Sequence, residues 1–264
     1  MADRSAVARV DVLGVGVSAI DMPQALETIC GWIQRREQHY VCITGVHGVM
    51  ESQDDPKLLE IHNASGLTTP DGMPMVWAGR WAGVGHMRRV YGPDLMLELL
   101  EICARQGWSS YFYGGGGGVA DTLAKRMRER FPGLAVAGTH CPPFRPLTPA
   151  EDQAVIDAIN AADPDVVWVG LSTPKQERWM AAHLGRINAP VMVGVGAAFD
   201  MNAGLLPQAP AWMQRAGLEW LFRLLKEPRR LWRRYLRNNP RFVLAVLRRP
   251  PALRPYPAEP TRTS

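Results

Sequence analysis

The sequence predicts an α/β protein with a mostly parallel sheet, helices on both of its faces, and a helical basic appendage at the C-terminal end. Three observations predict it. Short β-rich runs alternate with helix-period segments from residue 9 to residue 194, the pattern of strands joined by helical crossovers. The alternation stops after Gly204, where arginine-rich helical segments take over. Apolar residues make up 47% of the 264, enough to fill the core such a sheet requires.

Residues 9–14 (RVDVLG) read as the first strand. Asp21-Met22-Pro23 opens a helix, proline being tolerated in a first turn, and Ala25, Ile29, Trp32 and Ile33 share one face of residues 22–36. Residues 40–44 (YVCIT) form the next strand and end in TGVHG, a strand-to-helix crossing. Thr44 there either caps the following helix or touches a ligand; His47 is either a hydrogen-bonded structural residue or a base. Asp55-Pro56 starts a helix that runs to about His62. Residues 66–69 read as a short buried strand and residues 73–82 as an apolar helix.

Residues 93–106 form a helix with Leu95, Leu99 and Ile102 inward. Residues 110–113 form a strand that runs into five glycines, 114–118. Such a run is either a flexible turn or a loop whose N–H groups approach a phosphate, with Gly114 and Gly115 nearest the strand. Helices follow at 119–131 and 150–162, and strands at 135–140, 165–170 and 190–194. LSTPKQERWM places Lys175 and Gln176 in the first turn of another helix. The strand ends converge on one rim of a Rossmann-like sheet, where such folds keep their ligands. GVGVSA at Gly14 and GVGAAF at Gly194 are only partial dinucleotide fingerprints; a nucleotide-binding oxidoreductase is the lesser alternative.

Beyond Gly204 three helices are expected, broken at Gly217, Pro228 and Pro240. On the middle one Leu231, Trp232, Tyr235 and Leu236 cover one side, and Arg229, Arg230, Arg233, Arg234 and Arg237 the other. This helix lies on an anionic membrane or substrate, binds nucleic acid, or packs on the body with its arginines solvated. Residues 205–264 hold 12 Arg and one Lys against three Glu, a net +10, so residues 1–204 carry −5 of the formal +5. An acidic body with a basic tail implies a polyanionic partner for the tail alone. The expected domains are a body at 1–204, an appendage at 205–250 and a flexible tail at 251–264. The body is expected to fold without residues beyond 204.

No run approaches the roughly 18–20 apolar residues that span a bilayer, and the N-terminus lacks the apolar block of a signal peptide. Cys30, Cys42, Cys103 and Cys141 lack metal-ligand spacing and are expected to be thiols in a reducing cytoplasm.

The chain is organised around TPDGMPMVW at residues 69–77. Asp71 stands between a strand end and a helix start, followed by Gly72, which permits a sharp turn. It caps that helix, or it is the acid of an active site at a strand's C-terminal edge.

TPDGMPMVW, GPDLM, the glycine run after YFY, STPKQERWM, GVGAAFDMNAG and QAPAWMQRAGLEWLFRLLKEPRRLWRRYL resemble, in that order, the WecG/TagA/CpsF family of glycosyltransferases. The resemblance covers residues 10–235. It implies an inverting, metal-independent hexosyltransferase without a cofactor, serving cell-surface polysaccharide assembly. Such enzymes move a hexose or N-acetylhexosamine (glucose, N-acetylmannosamine or its uronic acid) from a UDP-sugar to a glycan on a polyprenyl diphosphate. They work in the cytoplasm against the inner face of the membrane, can self-associate, and have no nucleic-acid partner. The family's proposed base falls on Asp71, with Thr44 as a second catalytic position. Its PKQE glutamine falls on Gln176, and the arginines of its appendage on Arg223, Arg230 and Arg233. Two departures stand out: ITGVHG replaces a T-x-N pattern, and Gln208 stands where arginine often precedes Ala-Pro. The physics is consistent with this chemistry. One carboxylate can deprotonate an acceptor hydroxyl, and arginines can meet a departing diphosphate bidentately in place of a metal.

Overall fold

The computed structural model describes residues 7–254, so residues 255–264 of the expected tail lie outside the described residues. In chain order the first elements are β1 (Arg9–Val12), β2 (Val15–Ser18), α1 (Met22–Arg35), β3 (His39–Thr44), α2 (Val46–Asp54), α3 (Pro56–Ala64), β4 (Leu67–Pro70) and α4 (Met73–Trp81). There follow α5 (Gly92–Gln106), β5 (Ser109–Gly114), α6 (Val119–Arg130), β6 (Ala135–His140), α7 (Pro149–Ala162), β7 (Val166–Gly170), α8 (Lys175–His183), β8 (Val191–Gly194) and α9 (Ala198–Asn202). The C-terminal part comprises α10 (Ala211–Arg215), α11 (Glu219–Lys226), α12 (Pro228–Arg248) and β9 (Ala252–Arg254). The protein is α/β, and six strands in the order β4-β3-β8-β7-β5-β6 form its main sheet.

The chain folds as two compact units interleaved in sequence. Among the described residues, one takes 7–25, 43–91 and 209–254, the other 26–42 and 92–208.

In the second unit, β3–β8, β8–β7, β7–β5 and β5–β6 pair in parallel. The runs VVWV and VMV alternate in neither polarity nor burial, because strands covered by helices are dry on both faces. Trp168, Phe112 and Phe199 are wholly buried there. Helix α7 starts with a full capping box between Thr148 and Glu151.

In the first unit, the expected single strand at residues 9–14 is a hairpin. Leu13 and Gly14 both adopt positive φ, 55° and 91°, the backbone of a tight two-residue turn that matches strand twist. Val10 then faces Val17 across the pair. GVGVSA is therefore the return strand of a hairpin rather than a phosphate loop. The hairpin valines pack with Val49 and Met50 of α2, Met75 and Ala78 of α4, and Phe242 and Val246 of α12.

This core corrects three expectations. Pro240 does not break the last helix, which continues to Arg248. An internal proline costs about 3 kcal/mol, and burial of Phe242 and Val246, at about 1.5–3 kcal/mol each, offsets it. Residues 252–254 are not part of a free tail but pair antiparallel with β1. Removing everything beyond 204 would strip α12 and β9 from this core, so the rest of the unit is not expected to stay folded without them. The tertiary division also departs from the linear body-and-appendage plan, because α12 and β9 build their contacts with the N-terminal hairpin. Among the described residues no helix is long and apolar enough to cross a membrane.

Candidate active site

Asp71 follows the last residue of β4, and its N–H donates to the Thr44 carbonyl at the end of β3, 3.0 Å away. The helix-capping position falls on Gly72, at φ 81°, which has no side chain to cap with. Asp71 is thus not the N-cap, and its half-buried carboxylate stands one residue ahead of the turn. A side chain at Gly45 would come within 2.9 Å of the Asp71 carbonyl; glycine at this place in ITGVHG lets the β3–α2 loop close against Asp71. The hydroxyls of Thr44 and of Thr69, on the neighbouring strand, are buried and have no hydrogen-bond partner. A buried hydroxyl in this state costs free energy, and Thr44 stands at a strand end beside Asp71. His47 has a structural role: its Nδ1 lies 3.2 Å from Asn238 of α12 and 3.5 Å from Glu51.

The same unit brings appendage residues to this acid. The Val90 N–H donates to the Pro70 carbonyl at 2.9 Å, which sets the buried Tyr91 close to Asp71. The Tyr91 phenol is hydrogen-bonded to Glu219 at the start of α11 and lies within electrostatic reach of both Asp71 and Arg223. Burial, then the Glu219 carboxylate, pushes its pKa far above the ordinary tyrosine range, so it stays a neutral donor. Arg89 pairs with Glu219 at 2.9 Å, bonds Gln214, and lies 4.3 Å over the Tyr91 ring. Gly217, at φ 73°, forms the α10–α11 joint; a side chain there would meet Trp77 and Met73 at 3.0 and 3.2 Å.

Arg223 and Arg230 both reach Glu227, at 4.0 and 2.9 Å. Burial lowers the Arg234 pKa, the hydrogen-bonded Tyr235 opposes that shift, and repulsion from Arg223 and Arg230 adds to it. Arg223 and Arg230 thus share one carboxylate, with the Arg234 guanidinium within electrostatic reach of both, and Arg223 Nε and Arg234 Nε are buried without partners. Arg233 is exposed, with its guanidinium 5.2 Å over the Trp232 ring. Helical spacing alone puts Arg230, Arg233, Arg234 and Arg237 of α12 on one cationic face. Tertiary contact splits them: Arg237, together with Arg241, instead clamps Asp54, at 3.0 and 2.8 Å.

In the other unit, Gly114 and Gly170 face each other in register. A Cβ on Gly114 would strike the Gly170 backbone at 2.6 Å, and one on Gly115 would meet Val119 at 2.7 Å. The Gly115 N–H already donates to the Gly170 carbonyl at 3.0 Å. Close strand packing accounts for these two glycines, whereas Gly117 and Gly118 border open space. Gln176, in the first turn of α8, is 3% exposed, and its amide lies over Gly194 and Gly196.

The structure brings Thr44, Asp71 and Arg223 together in one unit and sets Gln176 beside Gly194 and Gly196 in the other. Sequence reasoning missed Arg89, Tyr91 and Glu219, which are far apart along the chain. Arg234 and Glu177 could have been found, since each adjoins a residue already singled out. Among the described residues no three His, Cys, Asp or Glu side chains group as a metal-ligand set.

The WecG/TagA/CpsF glycosyltransferase family model matches residues 10–255. A Bacillus spizizenii relative, named N-acetylglucosaminyldiphosphoundecaprenol N-acetyl-beta-D-mannosaminyltransferase, is 31% identical over 198 residues, covering 75% of this chain and 74% of the relative. A Staphylococcus aureus protein of the same name is 27% identical over 246 residues, covering 92% and 94%. With the strand-end acid, the PKQE turn and the arginine-rich helices all in place, this chain is a hexosyltransferase and belongs to the WecG/TagA/CpsF family of glycosyltransferases.

Proposed function

We propose that this enzyme transfers N-acetylmannosamine, or a closely related hexose, from a UDP-sugar to a sugar carried on polyprenyl diphosphate, at a membrane surface, in the assembly of a cell-surface polysaccharide. The relatives' shared name supports the transferred sugar and a lipid-diphosphate acceptor. The name also gives those relatives a β product, which supports inversion of an α-linked nucleotide donor.

In this reading Asp71 takes the proton from the acceptor hydroxyl. The oxygen attacks the anomeric carbon on the face opposite the nucleotide. The bond from that carbon to the diphosphate breaks, and its electron pair leaves with UDP. Thr44 supplies a hydroxyl to the bound sugar. Arg223 and Arg230 share one carboxylate and Arg234 adds a third positive charge within electrostatic reach of them; that surplus meets the leaving diphosphate without requiring a metal. Arg233, exposed beside Trp232, serves the lipid surface or the acceptor diphosphate. Gln176, whose buried amide oxygen has no partner, contacts the donor.

The observation that carries this reading is the meeting of Asp71 and Arg223 at one buried phenol, Tyr91. Asp71→Asn should fold normally and lower turnover by about 10²-fold or more, as loss of a general base does. The measurement is transfer from a panel of UDP-sugars to a short-chain lipid-diphosphate acceptor, read by mass spectrometry. Turnover close to wild type in the Asn variant would remove Asp71 from the chemistry.

A further inference from the structure

We infer that Glu177 fixes the orientation of the Gln176 amide, so that Gln176 offers its carbonyl to the ligand and reads a hydrogen-bond donor rather than a phosphate. This rests on the proposal that the enzyme binds a nucleotide-sugar.

Gln176 Nε2 donates to Glu177 Oε1 at 3.1 Å, and Thr173 Oγ1 donates to the same oxygen at 2.8 Å. Two donors converge on Oε1, so that oxygen is bare whether or not the carboxyl is ionised. Any proton sits on Oε2, which is buried and unpartnered. An amide whose nitrogen is held this way must turn its oxygen outward. That oxygen, Gln176 Oε1, is itself buried without a partner.

The surroundings leave it room. A Cβ on Gly196 would stand 3.3 Å from Oε1, and one on Gly194 would stand 3.2 Å from Cδ; both positions are glycine. Glu177 is wholly buried and Gln176 nearly so, so neither is a surface group turning freely in water. A bare carbonyl repels phosphate oxygens and accepts from O–H or N–H. The ligand group is therefore a sugar hydroxyl, an acetamido N–H, or the imide N–H of a uracil ring. Glu177 acts through Gln176 and is a positioning residue.

Binding to the full-length protein is measured calorimetrically with UDP, N3-methyl-UDP, a UDP-N-acetylhexosamine, and deoxy and N-methylacetamido versions of that sugar nucleotide. Gln176→Leu should weaken UDP-N-acetylhexosamine by about tenfold or more, the scale of a buried polar group left unpaired. For one analogue, the one lacking the donor group, wild type and Gln176→Leu should bind equally. That analogue separates base from sugar as the source. Glu177→Leu should reproduce the Gln176→Leu pattern, whereas Glu177→Gln, which keeps an acceptor at the Oε1 position, should restore binding to near wild type. A wild type that binds every donor-lacking analogue as tightly as its parent overturns the inference. So does a Gln176→Leu deficit that persists across all of them and vanishes only when the β-phosphate is absent. Failure of wild type to bind any UDP-sugar overturns the proposed function and this inference with it, an outcome distinct from binding without the donor dependence.

Discussion

Glu177 has no exposed surface, and burial raises its pKa above the ordinary glutamate value, though Thr173 and Gln176 oppose that shift. The sign follows from proton uptake. A carboxyl with a raised folded pKa binds more protons in the native than in the unfolded state, so stability falls as pH rises above about 4.3 and through the folded value. Glu177→Gln removes that penalty. Its melting temperature should equal or trail wild type at pH 5 and exceed it at pH 8, a crossing that calorimetry at the two pH values reads directly. Parallel curves would mean that the carboxyl is solvated. At the same scale, Asp71 was legible because a lone acid between a strand and a glycine stands out in any α/β reading. Tyr91 was not, because nothing in RRVYGPDLM says that its hydroxyl meets a glutamate more than a hundred residues later.

Among the elements, the joint of α10 and α11 depends on Arg89 and Glu219, each 17% exposed and 2.9 Å apart. Removing one partner leaves the other charged and poorly hydrated, a loss of about 3 kcal/mol. Arg89→Glu or Glu219→Arg alone should therefore loosen α10–α11, which limited proteolysis within residues 205–220 would detect. The double exchange should recover much of the protection, since the two charges then pair again in reverse order. Equal sensitivity of the double and single variants would show that the pair does not hold the joint. The helix boundaries at Gly217 and Pro228 could be read from sequence, because positive φ and a first-turn proline are local preferences. The continuation through Pro240 could not, because it depends on a core made with Val10 and Val17.

For the whole molecule, the charge asymmetry between residues 1–204 and 205–264 takes a sharper form in the structure. Some arginines are consumed at home: Arg237 and Arg241 on Asp54, and Arg249 on Asp11 at 3.0 Å. Others, Arg229 and Arg233 among them, are exposed beside Trp232 and Leu236, the latter pair 46% and 68% accessible. Exposed aromatic and cationic groups on one helix suit an anionic lipid surface, each cation near it contributing about 1 kcal/mol. The protein should sediment with vesicles rich in anionic lipid and lose that binding as salt rises. Trp232→Ala with Leu236→Ala should weaken it about tenfold or more without changing the melting temperature. Binding unchanged in that variant would move the lipid contact elsewhere.

Local chemistry is what the sequence determined by itself: the α/β alternation, nearly every strand and helix, the strand-end acid, the PKQE turn and the basic C-terminal part. Each depends on periodicity, turn preference or composition, which act over a few residues. Tertiary structure alone decided which distant segments share a core, which arginines are spent on structure and which gather near Glu227, and which end of the Gln176 amide is left without a partner. Those outcomes depend on burial and on partners that come from elsewhere in the chain, and a carboxylate or guanidinium carries no local mark of the partner it will meet.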